Sequence, residues 1–373
     1  MSAEYCVLHV VTRSTWGGAQ KVVHLLATRG HANASVACGG GGRLISELRT
    51  SRIPVFRLPA FRSSPAPLSD TRTLLRLLEI LREHSFDLVH CHSTKAGLVG
   101  RLASLFSGVP TVFTVHGWGF YNTSYGSLRP LLVHGERALA RGTTALVCVS
   151  ENDRREGCER GILQNARTEV IHNGVPPYTP APNSSPLWNE LDIDDDVPVI
   201  GAVLRLAPQK DPLAILRVAK RLRGRGHPVS TVLIGDGPLA EDCKRFVRNN
   251  GMEDVHLLGF RQDALPLLAD LDAFLLPSRF EGFPLTVLET MHLGVPIVAY
   301  DVGGVSEALS DRETGRVVLP GDEAAFTDAV EELVVNKTRR REMGDAARRR
   351  ARNRFTAERM VADYDRLYDS ILS

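Results

Sequence analysis

No Cys-x-x-Cys pair occurs among the six cysteines, Cys6, Cys38, Cys91, Cys148, Cys158 and Cys243, which removes metal-ribbon and dithiol redox chemistry from consideration. Three of them stand inside apolar, strand-like runs, a setting for buried free thiols in a reducing cytoplasm. An excess of one charge is also missing. Lys and Arg number 45 against 43 Asp and Glu, a formal net charge of +2, and this balance provides no electrostatic footing for nucleic acid. No apolar run approaches the ~18 residues of a membrane span. The opening MSAEYCVLHVV carries Glu4 straight into an apolar strand, without the basic region and cleavage site of an export signal. The expected location is the cytoplasm, with peripheral contact at the inner face of the membrane as the remaining membrane role. There is no G-x-x-x-x-G-K-[ST], so a P-loop ATPase is not expected.

What is present is an alternation of strand, loop and helix over 373 residues, 43% of them hydrophobic, long enough for two domains. YCVLHVVT reads as a buried strand, and Gly17 and Gly18 lead from it into a helix. That order suits a phosphate cradle, and it suits a tight turn equally. Gly39 to Gly42 read as too floppy for a defined anion site. In TRTLLRLLEILREHS, Leu74, Leu77, Leu78 and Leu81 share one helical face, which predicts a core-facing stripe. His90 and His92 share one strand face in FDLVHCHS; with no third ligand evident nearby, no zinc site is expected. His116 ends the strand of PTVFTVHGW, where ligands collect in open α/β sheets. Its imidazole could bond sugar hydroxyls or a developing charge, or could cap the strand structurally. Asn173-Gly174 reads as a turn, and residues 176–198, rich in Pro, Ser, Asn and Asp, as the linker. The acidic run Asp192 to Asp196 precedes a strand instead of ending one, which makes it a solvated turn and not a metal-binding DxD.

The second half repeats the alternation, and such βαβ units predict a parallel sheet covered by helices on both faces. Two halves of this kind make two Rossmann-like domains facing a cleft. Arg205 and Lys210 follow the first strand of this half. Two cations there can clamp a diphosphate, and two solvated loop cations fit as well. Gly235-Asp236-Gly237-Pro238-Leu239-Ala240 matches G-x-G-x-x-A, but the next strand ends in Gly259-Phe260-Arg261 without the ribose-binding acid, so NAD is not expected. From Pro277 to Gly304, Glu281 falls in a loop and Glu289 on a helix, with Gly282 bending the chain and Pro284 suited to the first helical position. The N–H groups around Leu285 and Thr286 would attract phosphate oxygens. An ordinary loop-helix junction with surface glutamates satisfies the same spacing. The Arg-rich run near the end reads as a solvated face. The last helix, Ala357 to Leu372, offers Tyr364, Leu367 and Tyr368 for packing, expected on the first domain.

Taken together, WGGAQ, TVHGW, VIHNGV, GAVLRLAPQKDP, LIGDGP and SRFEGFPLTVLETMHLGVPIVAYDVGG, the last with E-x7-E spacing, resemble the retaining family-4 type glycosyltransferases of GT-B fold. The first-domain segments are similar to those of bacterial enzymes that extend polysaccharide or polyprenyl-diphosphate-linked sugars. The resemblance covers nearly the whole chain. It implies domains at 1–178 (acceptor side) and 179–355 (nucleotide-sugar donor side), with 356–373 returning to the first. It implies further that Arg205 and Lys210 bind the donor diphosphate, helped by the backbone of Gly17 and Gly18 across the cleft. Glu289 would hold the ribose. Glu281, with Gly282, Phe283, Pro284, Leu285 and Thr286, would hold the sugar and its phosphate, and His116 would contact the sugar near the reacting carbon. The base would lie near Phe260 and Arg261, and Asn173 and Asp236 join the substrate-binding positions. Neither a cofactor nor a metal is expected; the partners are a nucleotide-sugar, with UDP preferred, and a glycan, lipid-linked or small-molecule acceptor. A UDP-sugar 2-epimerase and a non-catalytic sugar-binding protein are the alternatives of similar architecture.

Overall fold

The computed structural model describes residues 5–62, 66–121, 126, 129–164, 166–178, 190–194 and 196–373. Much of the linker read over 176–198 therefore lies outside the described residues. The chain divides into two compact units, Met1–Gly174 with Ala357–Ser373, and Val175–Thr356.

The first unit holds seven strands, β1 (Cys6–Arg13), β2 (Asn33–Gly39), β3 (Val55–Arg57), β4 (Leu88–His92), β5 (Thr111–Val115), β6 (Ala145–Cys148) and β7 (Thr168–Val170). They pair in parallel in the order β3-β2-β1-β4-β5-β6-β7. The central strands are near-continuous apolar runs because both sheet faces are covered. On one face Leu8, Val10, Cys91, Phe113 and Leu146 pack with Leu77, Ile80 and Leu81 of the helix Pro67–Glu83. Leu74 and Leu78 of that helix pack against the same core, half-buried. The helix Thr94–Ser107 comes close to this face for a steric reason. A Cβ at Gly97 would stand 2.5 Å from the Phe113 ring, and one at Gly100 would stand 2.4 Å from Cys91 Sγ. On the other face Val11, Val36 and Cys38 pack with Val23 and Ala27 of the helix Gly18–Arg29. The last helix, Ala357–Leu372, buries Tyr364 and Tyr368 there.

The second unit has six parallel strands, β8 (Val199–Val203), β9 (Ser230–Ile234), β10 (Val255–Gly259), β11 (Ala273–Leu276), β12 (Ile297–Tyr300) and β13 (Arg316–Val318), in the order β10-β9-β8-β11-β12-β13. In both sheets the order reverses once, between β1 and β4 and between β8 and β11. The crevice beyond the carboxyl ends of the strands at such a reversal is where open α/β sheets hold ligands.

Four local expectations are corrected. Gly39 to Gly42 are pinned, since Gly42 N–H donates to Ser14 Oγ at 2.8 Å and a Cβ on Gly39 would stand 2.2 Å from the Phe61 carbonyl oxygen. Asn173-Gly174 is no turn: the segment has no turn geometry, Asn173 is buried, and Gly174 N–H meets Met360 Sδ at 3.2 Å. The basic run on the helix Lys337–Arg354 is not purely solvated. Arg340 pairs with Asp272 at 3.1 Å, and Arg350 donates to the carbonyls of Ala308 and Glu307. All six cysteines are free, yet Cys158 is exposed while Cys38, Cys91, Cys148 and Cys243 are buried. No helix among the described residues is long and apolar enough to cross a membrane.

Candidate active site

In the second unit the loops after β8 and β11 meet at the strand-order reversal. Gln209 Nε2 donates to the Phe280 carbonyl at 3.0 Å, and Arg279 N–H donates to the Gln209 carbonyl at 2.8 Å. Between these stitches Lys210 Nζ donates to Glu281 Oε1 in an ion pair. Glu281 is only 7% exposed, so its charge needs this compensation. Arg205 stands exposed earlier in the same loop and, among the described residues, enters no ion pair. The chain behind Glu281 is fixed by a third loop. Gly304 N–H donates to the Gly282 carbonyl at 2.7 Å, and Gly303, at φ +58°, comes so close that a Cβ would lie 2.0 Å from the Glu281 carbonyl oxygen.

The helix beyond this loop runs Leu285–Leu293 and carries Glu289 half-buried. Pro284 is its extended N-cap, one residue earlier than the first-helical-position expectation, because its ψ of 120° is not helical. Gly282, Phe283, Pro284 and Leu285 are buried and Thr286 half-buried. Asp236 is exposed, with its Oδ1 accepting from Gly237 N–H at 2.7 Å. Phe260 is 65% exposed, and the Arg261 guanidinium is held between Glu190 at 2.6 Å and Asp263 at 2.8 Å. The acidic side chains therefore occupy the Arg261 guanidinium.

In the first unit Gly17 is the extended N-cap of the helix starting at Gly18, a short loop after β1, and Thr12 Oγ1 lies 2.9 Å from Ser93 Oγ across the strand-order reversal. His116 follows β5 and is partly exposed. It does not stand alone. His92 Nδ1 lies 3.1 Å from His116 Nε2, and His92 Nε2 lies 3.2 Å from His9 Nδ1. His90 lies beside His92 with ring centroids 3.9 Å apart; its Nδ1 meets the Tyr368 hydroxyl at 2.6 Å and its Nε2 meets Thr114 Oγ1 at 2.7 Å. Tyr364 completes the group, its hydroxyl 3.0 Å from Thr114 Oγ1. Parallel register makes this cluster: His9 is opposite His90, and His92 opposite Thr114. Burial pushes the His9 imidazole down to about 3 and that of His116 to about 4. His90 and His92 are held well below their ordinary range, by burial first and then by neighbouring imidazoles. All four rings are therefore neutral near pH 7.

The expectation that no third ligand stands near His90 and His92 is thereby corrected, since nitrogens of His9, His90 and His92 lie within 4.8 Å of one another. Both ring nitrogens of His90 and of His92 are already hydrogen-bonded, and a metal would have to displace those bonds. His9 and Thr114 were not among the residues anticipated, and Tyr364 and Tyr368 were expected to pack on the first domain but not to bond this cluster. The available signal was His9 itself, a polar residue inside the apolar run CVLHVV.

Residues 16–178 match the family model described as Glycosyltransferase Family 4, and residues 187–350 match Glycosyl transferases group 1. The chain is 34% identical over 360 residues to N-acetyl-alpha-D-glucosaminyl L-malate synthase of Bacillus anthracis, covering 93% of this chain and 91% of the relative. It is 30% identical to UDP-Gal:alpha-D-GlcNAc-diphosphoundecaprenol alpha-1,3-galactosyltransferase of Escherichia coli, covering 81% of this chain and 80% of the relative. Among solved structures, Anabaena HepE in complex with UDP-glucose superposes with a TM-score of 0.85 at 22% identity, over 98% of this chain and 99% of that one, a likeness of fold. Two parallel-sheet units, both matched models and these relatives agree: the chain belongs to the family-4 type glycosyltransferases of GT-B fold, and it is a glycosyltransferase.

Proposed function

We propose that this enzyme transfers a hexosyl or N-acetylhexosaminyl group from a UDP-sugar to an acceptor hydroxyl, with retention at the anomeric carbon and without a metal. The observation that carries the reading is the pairing of Lys210 with the near-buried Glu281 at the strand-order reversal of the second unit, with the exposed Arg205 in the same loop. Support for UDP comes from relatives: the E. coli enzyme is named for a UDP-galactose donor, and HepE was solved with UDP-glucose.

In this reading Arg205 and Lys210 face the diphosphate, Glu289 holds the ribose, and Glu281 and residues 282–286 hold the sugar and its phosphate. As the bond between the anomeric carbon and the phosphate oxygen breaks, negative charge grows on the diphosphate. Fixed cations and the helix start at Leu285 stabilise that charge, an effect worth about 3 kcal/mol for a single well-placed donor. The acceptor oxygen bonds to the anomeric carbon on the same face, and its proton passes to the departing phosphate. Gly17 and Gly18 assist the diphosphate and His116 the sugar. Asn173, Asp236, Phe260 and Arg261 complete the substrate contacts, the last two through their backbone near the base. The acceptor hydroxyl belongs to a lipid-linked glycan or to a small molecule, as the names of the E. coli and B. anthracis relatives respectively suggest. A cytoplasmic setting, peripheral at the inner membrane face for a lipid-linked acceptor, belongs to the same proposal.

The test incubates the protein with UDP- and GDP-sugars, with and without chelator, against lipid-diphosphate and small-molecule acceptors, recording released nucleotide and product anomer. UDP release that depends on acceptor and ignores chelator is the expected result. Glu289→Ala should raise the UDP dissociation constant about tenfold, and Lys210→Ala should lower turnover by more than it lowers uridine affinity. Unchanged kinetics in both variants would remove the donor-site assignment.

A further inference from the structure

Burying imidazoles costs free energy unless their nitrogens are bonded, and the first unit gathers four of them on one sheet face. A neutral imidazole has one N–H and one lone pair. A ring bonded to other rings through both nitrogens must therefore donate from one and accept at the other. His92 is such a ring, with His9 Nδ1 at 3.2 Å and His116 Nε2 at 3.1 Å. Only two neutral arrangements preserve both bonds. In the first, each ring carries its proton on Nδ1: His9 donates to His92, His92 donates to His116, and His116 presents an outer Nδ1–H. In the second, each ring carries its proton on Nε2, the direction reverses, and His116 presents a bare lone pair.

The inner end favours the first. His9 is 1% exposed, and among the described residues its Nε2 makes no hydrogen bond. The second arrangement would put an N–H there with no protein acceptor among the described residues, a less common situation in proteins than an acceptor left unused. We propose that His9 and His92 are positioning residues that hold His116 in its Nδ1–H tautomer, so that this ring meets a sugar oxygen as a neutral hydrogen-bond donor. The inference deepens the proposed function and rests on it for the His116 contact with the sugar. A histidine side chain in water favours the Nε2–H form, so the chain imposes a state that solvent would not. His90 stays outside the relay: it is tied by Thr114 and Tyr368 and packs against the His92 ring, which links the last helix to the alignment.

The experiment is nitrogen NMR on the full-length protein carrying 15N-labelled histidine, where the two tautomers have distinct shifts. Wild type should show Nδ1–H at His9, His92 and His116; Nε2–H at His116 overturns the proposal. In His9→Leu, His116 should revert to Nε2–H and kcat should fall about tenfold, the loss of one well-made hydrogen bond. Its UDP dissociation constant should stay within about twofold of wild type, the expectation for an interaction made away from the nucleotide. In His9→Asn the amide can replace the lost donor, and both the Nδ1–H signal and most of kcat should return. Equal impairment in Leu and Asn variants, or a reverted tautomer with wild-type kcat, also overturns it. If His9→Leu does not fold, the wild-type spectrum decides alone. A wild type that transfers no sugar from any nucleotide donor sinks the proposed function, and the tautomer measurement still judges the relay.

Discussion

Glu281 and the buried histidines meet the same difficulty, a titratable group removed from water, in opposite ways. Glu281 takes a cation, Lys210. The histidines give up their charge. Removing Lys210 strands a carboxylate, so Lys210→Ala should cost about 1–3 kcal/mol in urea unfolding, and Lys210→Ala with Glu281→Gln should recover most of it. The histidines make a prediction about pH. Their folded pKa values lie below the unfolded value of about 6.5, so the unfolded chain binds more protons in between. Their contribution is complete above about 6.5 and is lost as pH falls through the window towards about 4 for His116 and about 3 for His9. Each such ring adds a slope of about 1.4 kcal/mol per pH unit within its window. The urea midpoint should fall steeply from pH 6.5 to 4.5, and unfolding at pH 5 should take up about one proton per buried histidine; a flat midpoint would contradict the burial.

At the scale of elements, the loops around Glu281 are shaped by backbone approach. The Glu281 carbonyl occupies the space that a Cβ at Gly303 would need, and Gly303 also has a left-handed φ. Gly303→Ala should therefore displace the Glu281 loop. Thermal melting should drop by several degrees, and UDP affinity should fall at least tenfold even though Gly303 has no side chain to lose. The strands, the Gly17–Gly18 entry to a helix and the leucine stripe of the helix Pro67–Glu83 were legible because each is a local pattern of apolar and turn residues. Asn173-Gly174 misled for a related reason. An Asn-Gly pair has strong turn chemistry, but in this position burial, a contact to Met360 and hydrogen bonds from Arg359 to the His172 and Asn173 carbonyls outweigh it. The arginines near the end were read as solvated because nothing local reveals that Arg350 reaches carbonyls more than forty residues earlier in the chain.

At the scale of the whole molecule, the first unit is built from both ends of the chain while the second is continuous. The last helix fills the first unit's second face with Tyr364, fully buried, and gives His90 its Tyr368 hydroxyl. A chain ending at residue 356 should retain the melting transition of the second unit and lose that of the first; a peptide of residues 357–373 supplied in trans should restore it. Calorimetry with hydrogen exchange would follow the two transitions separately.

Alternation of apolar strands with glycine-led helices, a property encoded over about ten residues at a time, determined two Rossmann-like units, and the motif set determined the family. Strand order decided the rest. His9 and His92 are 83 residues apart and His92 and His116 are 24 apart, and Lys210 and Glu281 are separated by 71. No local pattern carries such pairings; they exist because parallel register places one strand's imidazole against the next, and because the strand-order reversal brings two distant loops together.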